Sequence, residues 1–229
     1  MGRAMIKDIA GKGGKVINLD IAEAEGLDCQ TIICDITNDE ELEEVVSSLI
    51  SKYDKLDGLV NNAYPRTKDW GEPFETMKID SWRKNVDMQL NTIAFLIQKL
   101  IPMLRGSVSP SIVNIASIYG VVGNDFKIYE NTSINPPAAY SAIKGGLINF
   151  TRFLSSLYGR EQIRVNCVSP GGIFDNQPKA FVASYEEKVP MGRMGNSKDI
   201  SPVVSFLLSN DAGYITGQNI VVDGGYTCI

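Results

Sequence analysis

Strand and helix patterns alternate along the whole 229-residue chain and predict a doubly wound α/β fold on a parallel sheet. Three observations carry this. Short β-branched runs alternate with longer segments of helical period. Several of those runs are continuously apolar, as strands are when helices cover both faces of their sheet. No repeat, low-complexity tract or linker breaks the series, so one domain over residues 1–229 is expected.

The first element, 3–10, reads as a helix. GKGGK follows it, with Gly11, Gly13 and Gly14, and invites a phosphate-loop reading. A phosphate loop must follow a strand and open a helix, so that the helix N-terminus faces the anion. This stretch does the reverse, which makes Gly11 or Gly13 a helix stop. Strands are expected at 15–21, 31–35, 58–62, 111–116, 164–169 and 219–222. Helices are expected at 39–53, 80–104, 138–158 and 198–208. In such sheets ligands bind beyond the carboxyl ends of the strands. The residues there are Asp20, Asp35, Asn61 to Ala63, Ser117 and Pro170 to Gly172.

A net charge of −5 argues against nucleic acid or anionic membrane as a partner. No apolar run reaches the roughly 18 residues of a membrane span, and a cytoplasmic protein is expected. Cys29, Cys34, Cys167 and Cys228 form no CxxC pair and read as buried free thiols in a reducing compartment. The chain has no histidine. That removes Ser-His-Asp hydrolases, histidine metal sites and histidine bases together. Acid–base chemistry is left to Tyr, Lys, Asp, Glu or Cys.

Tyr140 and Lys144, four apart in YSAIKGGLINF, share one helix face. An ammonium one turn from a phenol favours the phenolate and is expected to lower its pKa, so that the pair can exchange a proton with a hydroxyl or carbonyl oxygen. Ser117 ends the apolar run SIVNIAS, where its hydroxyl can hold the reacting oxygen.

Ser117, Y140SAIK144, N61NAY64, V165NCVSPGG172 and Q218NIVVDGG225 together resemble the short-chain dehydrogenase/reductase family, in the family's order over nearly the whole chain. The resemblance implies a Rossmann-like domain with Tyr140 as acid/base, Lys144 on the nicotinamide ribose, and Ser117 on the substrate oxygen. It places Asn62 and Ala63 along the cofactor, with Pro170, Gly171 and Ile173 at the nicotinamide. Asp35 and Ile36 fall at the adenine edge. Asp20 closes INLD, where a carboxylate accepts the ribose hydroxyls and repels a 2′-phosphate. No arginine follows it, so NAD is expected over NADP. A homo-oligomer, tetramer or dimer, is implied as well.

Members usually open with a strand and a glycine-rich turn, GxxxGIGRA. Gly2-Arg3-Ala4 matches only the end of that turn, making Gly2 its remnant. The expectation is a shortened chain, lacking the first strand and about 15 to 20 residues. Tyr64 stands where the family has glycine, and Asp175 where it often has threonine. Gln89 falls where an asparagine completes a proton relay, with Asn85 and Asn91 as other candidates. The stretch 123–137 lengthens the segment between Ser117 and Tyr140 and is expected to shape the substrate pocket. NNAYPR, NIASIYGVV and SPGGIFDNQP resemble the branch linked to flagellin modification and nonulosonic sugars. The leading expectation is an NAD-dependent oxidoreductase acting on a sugar or sugar nucleotide. Its alternatives are a 3-oxoacyl-carrier-protein reductase and a non-catalytic binding or assembly subunit.

Overall fold

All six strands form within two residues of their expected ends. The structure, a computed structural model, describes residues 1–229. The strands are β1 (Ile17–Asp20), β2 (Gln30–Ile33), β3 (Gly58–Asn61), β4 (Ser111–Ile115), β5 (Arg164–Pro170) and β6 (Asn219–Val222). Every pairing is parallel, but the strands fall into two sheets, β1-β2 and β3-β4-β5-β6. No backbone ladder joins them.

Around the sheets lie α1 (Gly2–Gly11), α2 (Asp39–Lys52), α3 (Ile79–Val86), α4 (Thr92–Arg105), α5 (Ala138–Tyr158), α6 (Lys179–Lys188) and α7 (Ser197–Leu208). Local chemistry explains several boundaries. Asn38 caps α2 by accepting from Glu40 and Glu41 N–H, and Asp39 to Glu41 face the positive end of its dipole. Asn196 and Asp199 form a capping box on α7. The run 80–104 is one rod containing a π turn at Asp87–Asn91, so the single expected helix becomes α3 and α4. Helix α6 is an addition. Its sequence has a weak apolar stripe and only Phe181 and Tyr185 are buried, which leaves little periodicity to detect.

GKGGK is a helix stop. Gly13 has φ +87°, its N–H donates to Ala10 O at 2.9 Å, and Gly14 N–H reaches Ile9 O at 2.9 Å. That bond pair is a Schellman closure, and only glycine takes the left-handed position cheaply.

Three apolar clusters hold the layers. Ile97, Leu104, Ile112, Leu147 and Val165 pack α4 and α5 against one face of the larger sheet. Met5, Val113, Val168, Ile200 and Val204 pack α1 and α7 on the other. Leu42, Val46, Leu49, Leu96, Leu100 and Met103 join α2 to α4, with Ile17, Ile32 and Leu59 leaning on them. This last cluster bridges the two sheets. Cys34 and Cys167 are buried, but Cys29 is half-buried and Cys228 exposed, so the expectation of buried thiols holds for only two of the four. No helix is long and apolar enough to cross a membrane.

Candidate active site

The expected site residues gather along one edge, beyond the carboxyl ends of the strands. Asp20 ends β1, Asp35 and Ile36 follow β2, and Asn62 and Ala63 follow β3. Ser117 follows β4, while Pro170 ends β5 with Gly171 and Ile173 beyond it. Gly2 opens α1 beside them: a Cβ built on it would stand 3.1 Å from Asn62 Nδ2.

Tight packing sets the position of Ser117 against α5. The turn after Ser117 carries Gly120, where a Cβ would fall 2.7 Å from the Lys144 backbone carbon. A larger residue would push the turn and α5 apart. Beneath this contact runs a buried polar chain. Asn61 Nδ2 donates to Asn114 Oδ1 at 2.7 Å, and Asn114 Nδ2 donates to Thr151 Oγ1 at 2.9 Å. It ties β3, β4 and α5 together directly below the residues they carry. Each member is satisfied, as buried polar groups must be to avoid a desolvation cost. The Asn in SIVNIAS was the available signal for this chain, a polar residue inside an otherwise apolar strand.

Lys144 is 6% exposed, and its Nζ donates to Ile115 O at 2.8 Å. Burial without a counter-ion lowers its pKa to about 8. The phenol of Tyr140 lies above its ordinary value, because packing raises it more than the Ser117 hydroxyl brings it down. The expected lowering by Lys144 is therefore not expressed in this state. The ammonium is directed at a backbone carbonyl, and desolvation dominates at the phenol.

The relay candidates separate clearly. Asn85 is engaged with Thr67 and Ser81, and Asn91 donates to Asp87 on the surface. Gln89 is 2% exposed within the π turn, and neither amide atom has a partner. Asp35 accepts from Thr37 N–H and Oγ1 at 2.9 and 2.8 Å, closing its own turn. The Asp20 carboxylate accepts only from Ala22 N–H, at 3.2 Å, and the residue is exposed. Asp175 is exposed too, its N–H held by Gln177 Oε1 at 2.7 Å.

The stretch 123–137 packs down as a wall. Ile128 is buried against Phe181, Tyr185, Met194 and Tyr226. Tyr129 Oη donates to Tyr119 Oη at 2.9 Å, and Asp125 pairs with Lys188 on α6. Opposite it, Tyr64 and Trp70 meet Tyr140 edge-on, an arrangement that sequence spacing does not reveal.

The residues present fit a dinucleotide. Asn62 Oδ1 is buried with no partner beside Gly2. The first N–H groups of α1 have no intrahelical acceptor and point where an anion would be favoured. Gly171 and Gly172 leave no room for a side chain, since a Cβ would meet Asp223 at 2.8 Å and Tyr185 at 2.6 Å. Gly172 N–H donates to Tyr185 Oη, fixing that loop.

Comparison with known proteins identifies the family. A family model described as enoyl-(acyl carrier protein) reductase matches residues 1–227. The chain is 30% identical over 226 residues to post-translational flagellin modification protein A of Campylobacter coli, covering 98% of this chain and 88% of that one. It is also 30% identical over 240 residues to a 3-oxoacyl-(acyl-carrier-protein) reductase of Thermotoga maritima, covering 98% and 92%. Among solved structures, a short chain dehydrogenase from Leptospira borgpetersenii with bound NAD+ superposes with a TM-score of 0.89. That pair shares 35% identity over 99% of this chain and 88% of the other.

Proposed function

The chain belongs to the short-chain dehydrogenase/reductase family and is an oxidoreductase; from that premise we propose that it uses NAD on a hydroxyl/carbonyl pair of a sugar or sugar nucleotide. The observation that carries the chemistry is the meeting of Ser117, Tyr140 and Lys144 through the Gly120 contact, at the carboxyl edge of the larger sheet. Tyr140 gives or takes the proton at the substrate oxygen. Ser117 donates a hydrogen bond to that oxygen as its charge develops. Lys144 favours the phenolate once a bound ligand draws its ammonium away from Ile115 O. When bound, the nicotinamide supplies or accepts the hydride.

Asp20 supports NAD over NADP, because an exposed carboxylate there accepts ribose hydroxyls and repels a 2′-phosphate. Asn62, Ala63 and Gly2 would hold the middle of the cofactor, Pro170, Gly171 and Ile173 its nicotinamide end. Asp35 and Ile36 would lie at the adenine, with Asp35 acting mainly through the turn it closes. Sugar chemistry is supported by the flagellin-modification relative and by the polar wall at 123–137.

A second reading, reduction of 3-oxoacyl carrier-protein thioesters, is favoured by the description of the family model and by the Thermotoga relative. The net charge of −5 opposes docking of an acidic carrier. Screening sugar nucleotides, sugar acids and a 3-oxoacyl thioester with NAD and NADP decides between the two. Turnover of the thioester alone overturns the sugar reading.

A further inference from the structure

Tyr140 does not stand alone at the mouth of the site. Tyr64 lies edge-on to it at 5.5 Å between ring centroids, and Trp70 edge-on at 6.2 Å. Tyr64 and Trp70 meet each other at 5.9 Å, and Trp70 Nε1–H donates to Tyr64 Oη at 2.7 Å. The three rings form one wall with the phenol of Tyr140 inside it.

The segment carrying this wall is anchored. Thr67 N–H donates to Asn85 Oδ1 at 3.1 Å, and Asn85 Nδ2 returns to Thr67 Oγ1 at 2.8 Å. Ser81 Oγ donates to Asp69 Oδ1 at 2.7 Å. Asn135 Nδ2 donates to Gly71 O at 3.0 Å and joins the segment to the opposite wall. These bonds hold Trp70 in place before any ligand arrives, which reduces the ordering cost of binding. Tyr64 nonetheless keeps 40% of its surface exposed beside the reacting group, with Lys144 Nζ 5.8 Å from its ring centre. Arg66 stacks over Tyr64, with 5.6 Å between guanidinium and ring centre, and takes part in no ion pair of the chain.

We propose that Tyr64 and Trp70 are specificity-determining residues that receive the C–H face of a saturated substrate ring, and that Arg66 pairs with an anionic group carried by that ring. The inference rests on the sugar reading above and narrows it to acidic or phosphorylated sugars. An aromatic face accepts the weakly positive C–H edge of such a ring, as its negative quadrupole does for other positive edges. An unpaired guanidinium suits carboxylate and phosphate alike.

The test uses Trp70 as its own reporter. In a Trp82→Phe background, Trp70 is the sole tryptophan. Its fluorescence is titrated, in saturating NAD, with N-acetylneuraminate, UDP-N-acetylglucosamine and neutral D-glucose. A change with at least one anionic probe, and a weaker one with glucose, is expected. Trp70→Ala should weaken binding of that probe about tenfold, one aromatic contact's worth, with NAD affinity unchanged. Binding in the alanine variant is followed by calorimetry. Trp70→Phe retains a ring and should recover most of the loss, which separates the contact from a collapsed loop. Arg66→Gln should weaken the anionic probes and leave glucose as it was. The arm that responds, carboxylate or diphosphate, identifies the source of the charge.

Failure of both anionic probes to bind overturns the proposal. So does a Trp70→Ala variant that loses NAD affinity in place of probe affinity. Sugar turnover with an unaltered KM in Trp70→Ala defeats the wall and leaves the sugar reading standing. Turnover confined to a 3-oxoacyl thioester defeats both.

Discussion

Every residue of β4 and β5 is buried, and none of β1 or β2 is. The larger sheet has helices packed on both faces and carries Ser117 after β4, with Tyr140 and Lys144 on the helix against it. The smaller sheet carries Asp20 and Asp35, the proposed adenosine contacts, and depends on the α2–α4 cluster and a Lys99–Glu43 ion pair at 2.5 Å. An exposed pair of that kind is worth little, so the apolar cluster does most of the joining. The comparison teaches that the proton-transfer groups sit on the rigid part of the molecule. The groups proposed to select the cofactor sit on the part most easily opened. Regions with few buried contacts open at lower free energy.

Four changes would break or sharpen this contrast. Tyr140→Phe acts wholly on the larger sheet and should lower kcat by about 10²- to 10⁴-fold, with circular dichroism unchanged. Turnover that survives would move the acid–base role elsewhere. Leu100→Ala empties the joining cluster and should cost about 2 to 5 kcal/mol. Amide exchange should then rise mainly in β1, β2 and α2; an equal rise in β4 and β5 would erase the distinction between the sheets.

Lys144 gives a pH signature to the larger sheet. Its folded pKa, about 8, lies below the ordinary 10.5. The stability it contributes is therefore fully present above 10.5 and is lost as pH falls through about 8. Relative to Lys144→Met, urea midpoints should rise from about pH 7.5 to about pH 9.5, a window carrying roughly 2 kcal/mol. The raised Cys34 and Cys167 thiols pull the other way in both proteins. Tyr140, whose phenol is raised, opposes the rise only above pH 10. The smallest effect belongs to the smaller sheet. Asp20→Ser should shift the NAD/NADP preference about tenfold toward NADP, near 1.4 kcal/mol, measured as a ratio of kcat/KM values.

Much of this molecule was legible before folding. The alternating patterns located all six strands, because strand and helix periods are properties of local sequence. GKGGK declared itself a stop through its order relative to helix and strand. Asp20, Asn62, Ser117 and Gly171 were placed on one edge because strand ends in a parallel sheet share one side. Helix α6 was missed for want of an apolar stripe, and the π turn because its pattern matches an ordinary helix.

What the tertiary structure decided is how distant side chains meet. That Lys144 faces Ile115 O, that Asn61 reaches Thr151 through Asn114, and that Trp70 closes on Tyr140 are contacts across 29 to 90 positions. No periodicity encodes them. They depend on which loops the packed layers bring together, and on the desolvation that packing imposes. The same reason accounts for the phenol: spacing put an ammonium one turn away, and the burial that packing imposes on Tyr140 raised its pKa all the same.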